Sequence, residues 1–140
     1  MKVLGIDYGT KRIGVAIGDM ETKVAVPFSV IEGLGIRDLS ADKAGQVLGV
    51  AKIVKEEQIG LIVVGLPLRA EGGKSATQKK VEKFIKELHD VVKIHIVTQD
   101  ERFTTAEVER TMKGYGKAAK GIDKDAAAAA LILQNWFDKV

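Results

Sequence analysis

The sequence predicts an α/β fold built on a mixed five-stranded sheet flanked by helices. Three observations predict it. Three Val/Ile-rich segments follow one another at the start with only short polar breaks between them. From residue 38 onward, helical and strand-like segments alternate. One of these strands, "GLIVVG", is apolar throughout, as strands buried on both faces in parallel sheets are.

The first segment, Lys2–Asp7, is an apolar run that ends in a carboxylate. The second, Arg12–Gly18, carries Gly14 and Gly18, and the third is Lys23–Ile31. Breaks as short as Tyr8–Lys11 and Asp19–Thr22 force antiparallel neighbours. Pro27 lacks an N–H and so favours an edge strand. Asp38–Glu57 has helical spacing through Leu39, Val47, Val50, Ala51 and Val54. Gly60–Gly65 is the buried strand. Ser75–Asp90 is a helix with Ser75 and Gln78 at capping-box spacing and a stripe of Val81, Phe84, Ile85 and Leu88. Lys93–Thr98 is the fifth strand. Thr104–Lys113 opens on the capping box "TTAE", Gly114–Gly121 is a loop, and Asp123–Lys139 is an alanine-rich helix. The alanines from Ala126 to Ala130 suit close approach to a neighbour, and Leu131, Leu133, Trp136 and Phe137 read as core.

The chain has 140 residues, enough for one substantial core, and shows neither repeat nor linker, so a single domain over 1–140 is expected. Without cysteine it has no disulfide and no thiolate metal site. That suits a cytoplasmic location, and no signal peptide or membrane span is evident. A net charge of +3 permits a polyanionic partner without demanding one.

Ordinary right-handed crossovers would make strands one, four and five parallel, with their C-terminal ends on one edge of the sheet, where open α/β sheets place ligands. Asp7 ends strand one, Asp100 and Glu101 follow strand five, and Asp125 lies in the first turn of the last helix. Acids distant in sequence can converge there. Clustered carboxylates repel, and a hard divalent cation such as Mg²⁺ removes that cost. Two such ions can activate water for phosphodiester cleavage without a Cys, Ser or His nucleophile. Gly9 permits a tight turn, while Gly14 and Gly18 let a backbone or a ligand approach closely. Lys11 and Arg12 lie beside the acids, suited to phosphate.

The stretches "GIDYGTKRIGVAIGD", "IVVGLPLRAEGG", "DERFTTAEVER" and "DAAAAALILQNW" together resemble the YqgF/RuvX family, Holliday junction resolvase-like proteins or pre-16S ribosomal RNA nucleases, over nearly the whole chain. The resemblance implies an RNase H-like fold and a nuclease dependent on Mg²⁺ or Mn²⁺ that leaves 3′-hydroxyl and 5′-phosphate ends. Its acids fall on Asp7, on Glu101 or Asp100, and on Asp125. Glu101 is preferred within "DER", with Asp100 in reserve. Alignment from "LILQ" selects Asp125 and makes Asp123 the helix N-cap. Asp7 would bridge two ions, and Arg102 would stabilise charge or orient Glu101.

Other features are weaker. "GGKS" at Gly72–Ser75 lacks the glycine a phosphate loop needs at Leu68, although Arg69, Lys74 and the Ser75 helix start could hold a phosphate. Lys113, Lys117 and Lys120 flank Tyr115, a candidate clamp on nucleic acid with Tyr115 stacking on a base. His89 and His95 read as ordinary histidines. The expected partner is nucleic acid, precursor rRNA or branched DNA, with the chain monomeric or homodimeric. Two rivals are a non-catalytic RNA-binding assembly module and a nucleotide-binding phosphotransferase. "DYGT" resembles the hairpin of sugar kinases, but a second such hairpin is absent.

Overall fold

The computed structural model describes residues 1–9, 11–32, 39–67, 76–101, 105–114 and 121–140, with the side chains of 39–44 and 105–106 outside that description. The elements in chain order are β1 (Lys2–Asp7), β2 (Arg12–Asp19), β3 (Val24–Glu32), α1 (Leu39–Glu56), β4 (Ile59–Pro67), α2 (Ala76–Val92), β5 (His95–Glu101), α3 (Thr105–Gly114) and α4 (Lys124–Phe137). The sheet runs β3-β2-β1-β4-β5. β1, β2 and β3 pair antiparallel, and β1, β4 and β5 pair parallel. β3 is an edge strand as Pro27 requires, and the register slips by one residue beside it, between Val15 and Ala16 of β2.

Strand alternation divides the core into two layers. Leu4, Ile6, Ile13, Val15, Ile62 and Val64 meet Val47 and Val50 of α1 and Val81, Phe84 and Leu88 of α2. On the other face Val3, Ala16, Ala25 and Val63 meet Ala129, Ala130, Ile132, Leu133 and Phe137 of α4. α3 lies outside α4, with Val108 against Ala127 and Ala128. Among the described residues, no helix is long and apolar enough to cross a membrane.

One boundary differs from the sequence expectation in a way that matters. The fifth strand starts at His95 and runs through Glu101, rather than spanning 93–98. Lys93 has φ 57° and closes α2, its N–H donating to the His89 carbonyl, instead of starting the strand. The strand then stays paired with β4 as far as Leu66–Asp100 and Pro67–Glu101. Asp100 and Glu101 therefore belong to the sheet and point to opposite faces.

α4 sits unusually close to the sheet because small residues meet small residues. A Cβ on Gly5 would lie 2.7 Å from Leu133 Cβ and 3.0 Å from the Ala129 carbonyl oxygen. On Gly14 it would run into the backbone carbonyl of Asp125, and on Gly18 it would lie 2.5 Å from the Phe137 ring. Gly14 thus receives a helix backbone, one of the two occupants the sequence left open, and Gly18 receives an aromatic side chain of the same helix. Gln134 completes the seal. Its side-chain oxygen accepts from the Ala25 N–H at 3.0 Å and its nitrogen donates to the Lys23 carbonyl at 2.9 Å, closing part of the exposed β3 edge.

The Gly14 contact involves backbone on both sides and cannot yield by a rotamer change. Gly14→Ala should destabilise the fold by about 3 kcal/mol, the upper range for overpacking. Gly114→Ala, with nothing within 4 Å of the added methyl, should change stability by less than about 1 kcal/mol. Urea unfolding of both variants checks this. Equal stabilities would contradict the close docking of α4.

Candidate active site

Asp7 ends β1 on the face that carries Val3 and Gly5, which is the α4 face. Its partner across β2 is Gly14, whose Cα lies under the first turn of α4. Glu101 ends β5 on the same face as Val97, while Asp100 points to the other face and is exposed. Between β1 and β5 runs β4. Gly65 lies one position beyond the Ile6–Val64 pair and opposite Gln99, so it occupies the space between the two acids. A Cβ there would lie 3.0 Å from a Glu101 carboxylate oxygen. The bare Gly65 also admits the Ile132 side chain of α4, and beside it the carboxyls of Asp7 and Glu101 share a hydrogen bond.

Gly65 was invisible as a site residue in the sequence, where it only closes "GLIVVG". Its role depends on register, which the sequence does not display. Gln46 was also missed. It is a buried polar residue of α1 whose amide nitrogen donates to the Gly9 carbonyl at 3.4 Å, tying the β1–β2 hairpin to the opposite layer. Beside Asp7, Tyr8 faces that layer and stacks on Phe84 with ring centroids 4.8 Å apart. Burial, then the Glu87 charge, raises the Tyr8 phenol.

The acid pair is electrostatically tense. Burial first, then the charges of Glu101 and Asp125 and the hydrogen bond to Glu101, push Asp7 up to about 8. Burial also raises Glu101, and the hydrogen bond donated by Asp7 opposes that rise. Asp7 thus keeps its proton near neutral pH and donates it to the Glu101 carboxylate.

The third acid is oriented differently. Asp123 is the N-cap of α4, as expected, accepting the Asp125 N–H at 2.7 Å. The Asp125 carboxylate is engaged by Arg12, with Nε 3.3 Å from Oδ2. The same guanidinium hydrogen-bonds Asp123 and stands 3.9 Å from Glu32. The bond to Asp123 foremost raises the Arg12 guanidinium; desolvation opposes it, and the charges of Asp123, Asp125 and Glu32 add to the rise. The Arg12 guanidinium, which the sequence reading assigned to phosphate, is thus engaged by carboxylates in this structure. The antiparallel β2–β3 pair and the docked α4 surround it with three acids. Among the described residues, no three acidic or histidine side chains stand together as a ready metal cage. Lys11 and Lys113 are exposed, as are His89 and His95. Arg69, Lys74, Arg102, Tyr115, Lys117 and Lys120 lie outside the described residues.

A sheet of order 3-2-1-4-5, with α1 and α2 on one face and α4 on the other, defines an RNase H-like fold with acids at the C-terminal edge of its parallel strands. The fold is shared with Thermus thermophilus RuvC, solved with a Holliday junction substrate (TM-score 0.66, 14% identity, 99% of this chain and 95% of that one). It is also shared with the fowlpox virus Holliday junction resolvase (TM-score 0.61, 10% identity, 100% of both chains). Within that class the chain belongs to the RuvX family, described as Holliday junction resolvase, whose family model matches residues 1–139. A relative from Ruminiclostridium cellulolyticum is 39% identical over 143 residues, covering 100% of this chain and 96% of its own. Another, from Endomicrobium trichonymphae, is 36% identical over 141 residues, covering 98% and 95%. Both bear the name "Putative pre-16S rRNA nuclease".

The shared proton makes stability depend on pH in a defined direction. The folded protein holds it up to about pH 8, whereas the unfolded chain releases it near 3.8. Stability from this pair is present below the lower value and is lost as pH rises through the upper one. In EDTA, Asp7→Asn should abolish the loss and exceed the parent by on the order of 2 kcal/mol at the alkaline end. Urea unfolding across this pH range checks it, and parallel profiles for the two proteins would contradict it.

Proposed function

We propose that this chain is a divalent-metal-dependent nuclease that trims the 5′ end of precursor 16S ribosomal RNA. The observation that carries this reading is the Asp7–Glu101 pair, two carboxyls from the ends of separate strands held against each other at a partly buried edge. Such a pair fits a hard cation, which takes the proton's place and satisfies both oxygen donors. Asp7 and Glu101 would hold Mg²⁺ or Mn²⁺, with Asp125 joining them and Asp7 shared between two ions. Bound there, the metal would supply an activated water and neutralise charge on the phosphate.

The rest of the chemistry belongs to the protein. Two parallel strands fix the acids on rigid elements, and Gly65 adds no side chain against the Glu101 carboxylate. Lys11 and Arg12 put positive charge at the hairpin beside them, where a nucleic-acid backbone is attracted. Lys113, exposed in the last turn of α3, adds a further cation. Arg69, Lys74, Arg102, Lys117 and Lys120 add cations and Tyr115 a stacking surface, on the sequence pattern alone. Asp100, on the opposite face, has no part in the reaction. The names of the relatives favour RNA over branched DNA, and a ribosomal RNA precursor places the protein in the cytoplasm.

Purified protein with Mg²⁺ or Mn²⁺ should cleave a 5′-extended 16S rRNA precursor. Asp7→Asn or Glu101→Gln should lower the rate by about 100-fold or more, while Asp100→Asn should leave it near the parent's. Cleavage of four-way DNA but not RNA would shift the substrate to branched DNA. RNA binding without cleavage, unchanged by EDTA, would make the chain a binding module and refute the nuclease reading.

A further inference from the structure

The third acid of the proposed centre is already engaged by a cation. Asp125 is close enough to raise Asp7 through its charge, yet its carboxylate is held by Arg12 at 3.3 Å. The Asp125 backbone has little freedom, because its carbonyl sits against Gly14 and its N–H is bonded to Asp123. Only the side chain can turn. Arg12 is exposed and lines an open cleft of about 380 Å³ between β3 and the start of α4, bordered by Ser29, Val30, Ile122 and Ala126. A phosphate group can reach the guanidinium there without any backbone movement.

We propose that Arg12 is a latch that occupies Asp125 in the free protein and surrenders it when a nucleic-acid phosphate takes the guanidinium, so that substrate binding completes the metal site. The inference rests on the nuclease reading above and adds an order of events to it. Phosphate and carboxylate compete for the same planar fork of donors, and guanidinium suits both. Asp123 and Glu32 keep Arg12 in place during the exchange, leaving Asp125 as the ligand that moves. Arg12 is then a positioning residue, because it acts through Asp125. It couples metal affinity to substrate, and the coupling is reciprocal.

The test is Mn²⁺ binding by calorimetry on the full chain, with and without a nuclease-resistant 2′-O-methyl RNA decamer. The parent should bind Mn²⁺ about fivefold more tightly with the RNA present, the scale of an exposed ion pair released. Arg12→Gln should show a similar gain without RNA and no further gain with it. In Arg12→Gln combined with Asp125→Asn, affinity should fall back to that of Asp125→Asn alone. A gain that persists with Asn at 125 reflects only the lost positive charge and overturns the latch. So does Mn²⁺ affinity in the parent that ignores RNA, an arm that needs no variant to fold. RNA cleavage by the parent alongside either result would leave the nuclease standing without the latch. Absence of Mn²⁺ binding in every protein and condition would overturn both.

Discussion

The structure depends on the close docking of α4 onto one face of the sheet. That contact is made by absence. Gly5, Gly14 and Gly18 contribute no side chains, and the run from Ala126 to Ala130 contributes the smallest ones. Glycine costs strand stability and alanine buries little area, so the interface gains proximity at the expense of payload. Leu133, Ile132 and Phe137 restore apolar burial farther along the helix. At the helix start Val108 of α3 packs on the outer side, while on the sheet side the backbone of Asp125 lies directly on Gly14.

The same economy of side chains builds the site. Strands β1 and β5 are separated by β4, where Gly65 adds no side chain and leaves room for Ile132 of α4 and for the Glu101 carboxylate. Docking α4 adds a third carboxylate and brings Asp123 and Asp125 to Arg12. Negative charge is thereby gathered at a partly buried edge, with one proton and one guanidinium as its internal counterions.

Much of this was legible in the sequence because the signals are local. The apolar run ending at Asp7, the short hairpin breaks, Pro27 on the edge and the Asp123 cap all depend on neighbours within a few residues. Gly14 and Gly18 announced a close approach, and the alanine run supplied a partner for it. What was not legible depends on pairing. "KIHIVTQDE" reads equally well with a strand start at Lys93 or His95, and the choice decides where Asp100 and Glu101 stand. Only the register with β4 puts Glu101 on the α4 face and Asp100 on the other. Gly65 and the Arg12–Asp125 pair were hidden for the same reason, since each joins elements far apart along the chain. The basic residues at 69, 74, 102, 117 and 120 lie in segments outside the described residues and remain readings of pattern.

The most direct measurement is anomalous diffraction from a crystal of this protein soaked in Mn²⁺. The account predicts a manganese peak bound by carboxylate oxygens of both Asp7 and Glu101, at the position over Gly65 where they now share a proton. An ordered edge at which the two carboxyls stay hydrogen-bonded to each other, with no manganese beside them at saturating concentration, would contradict it.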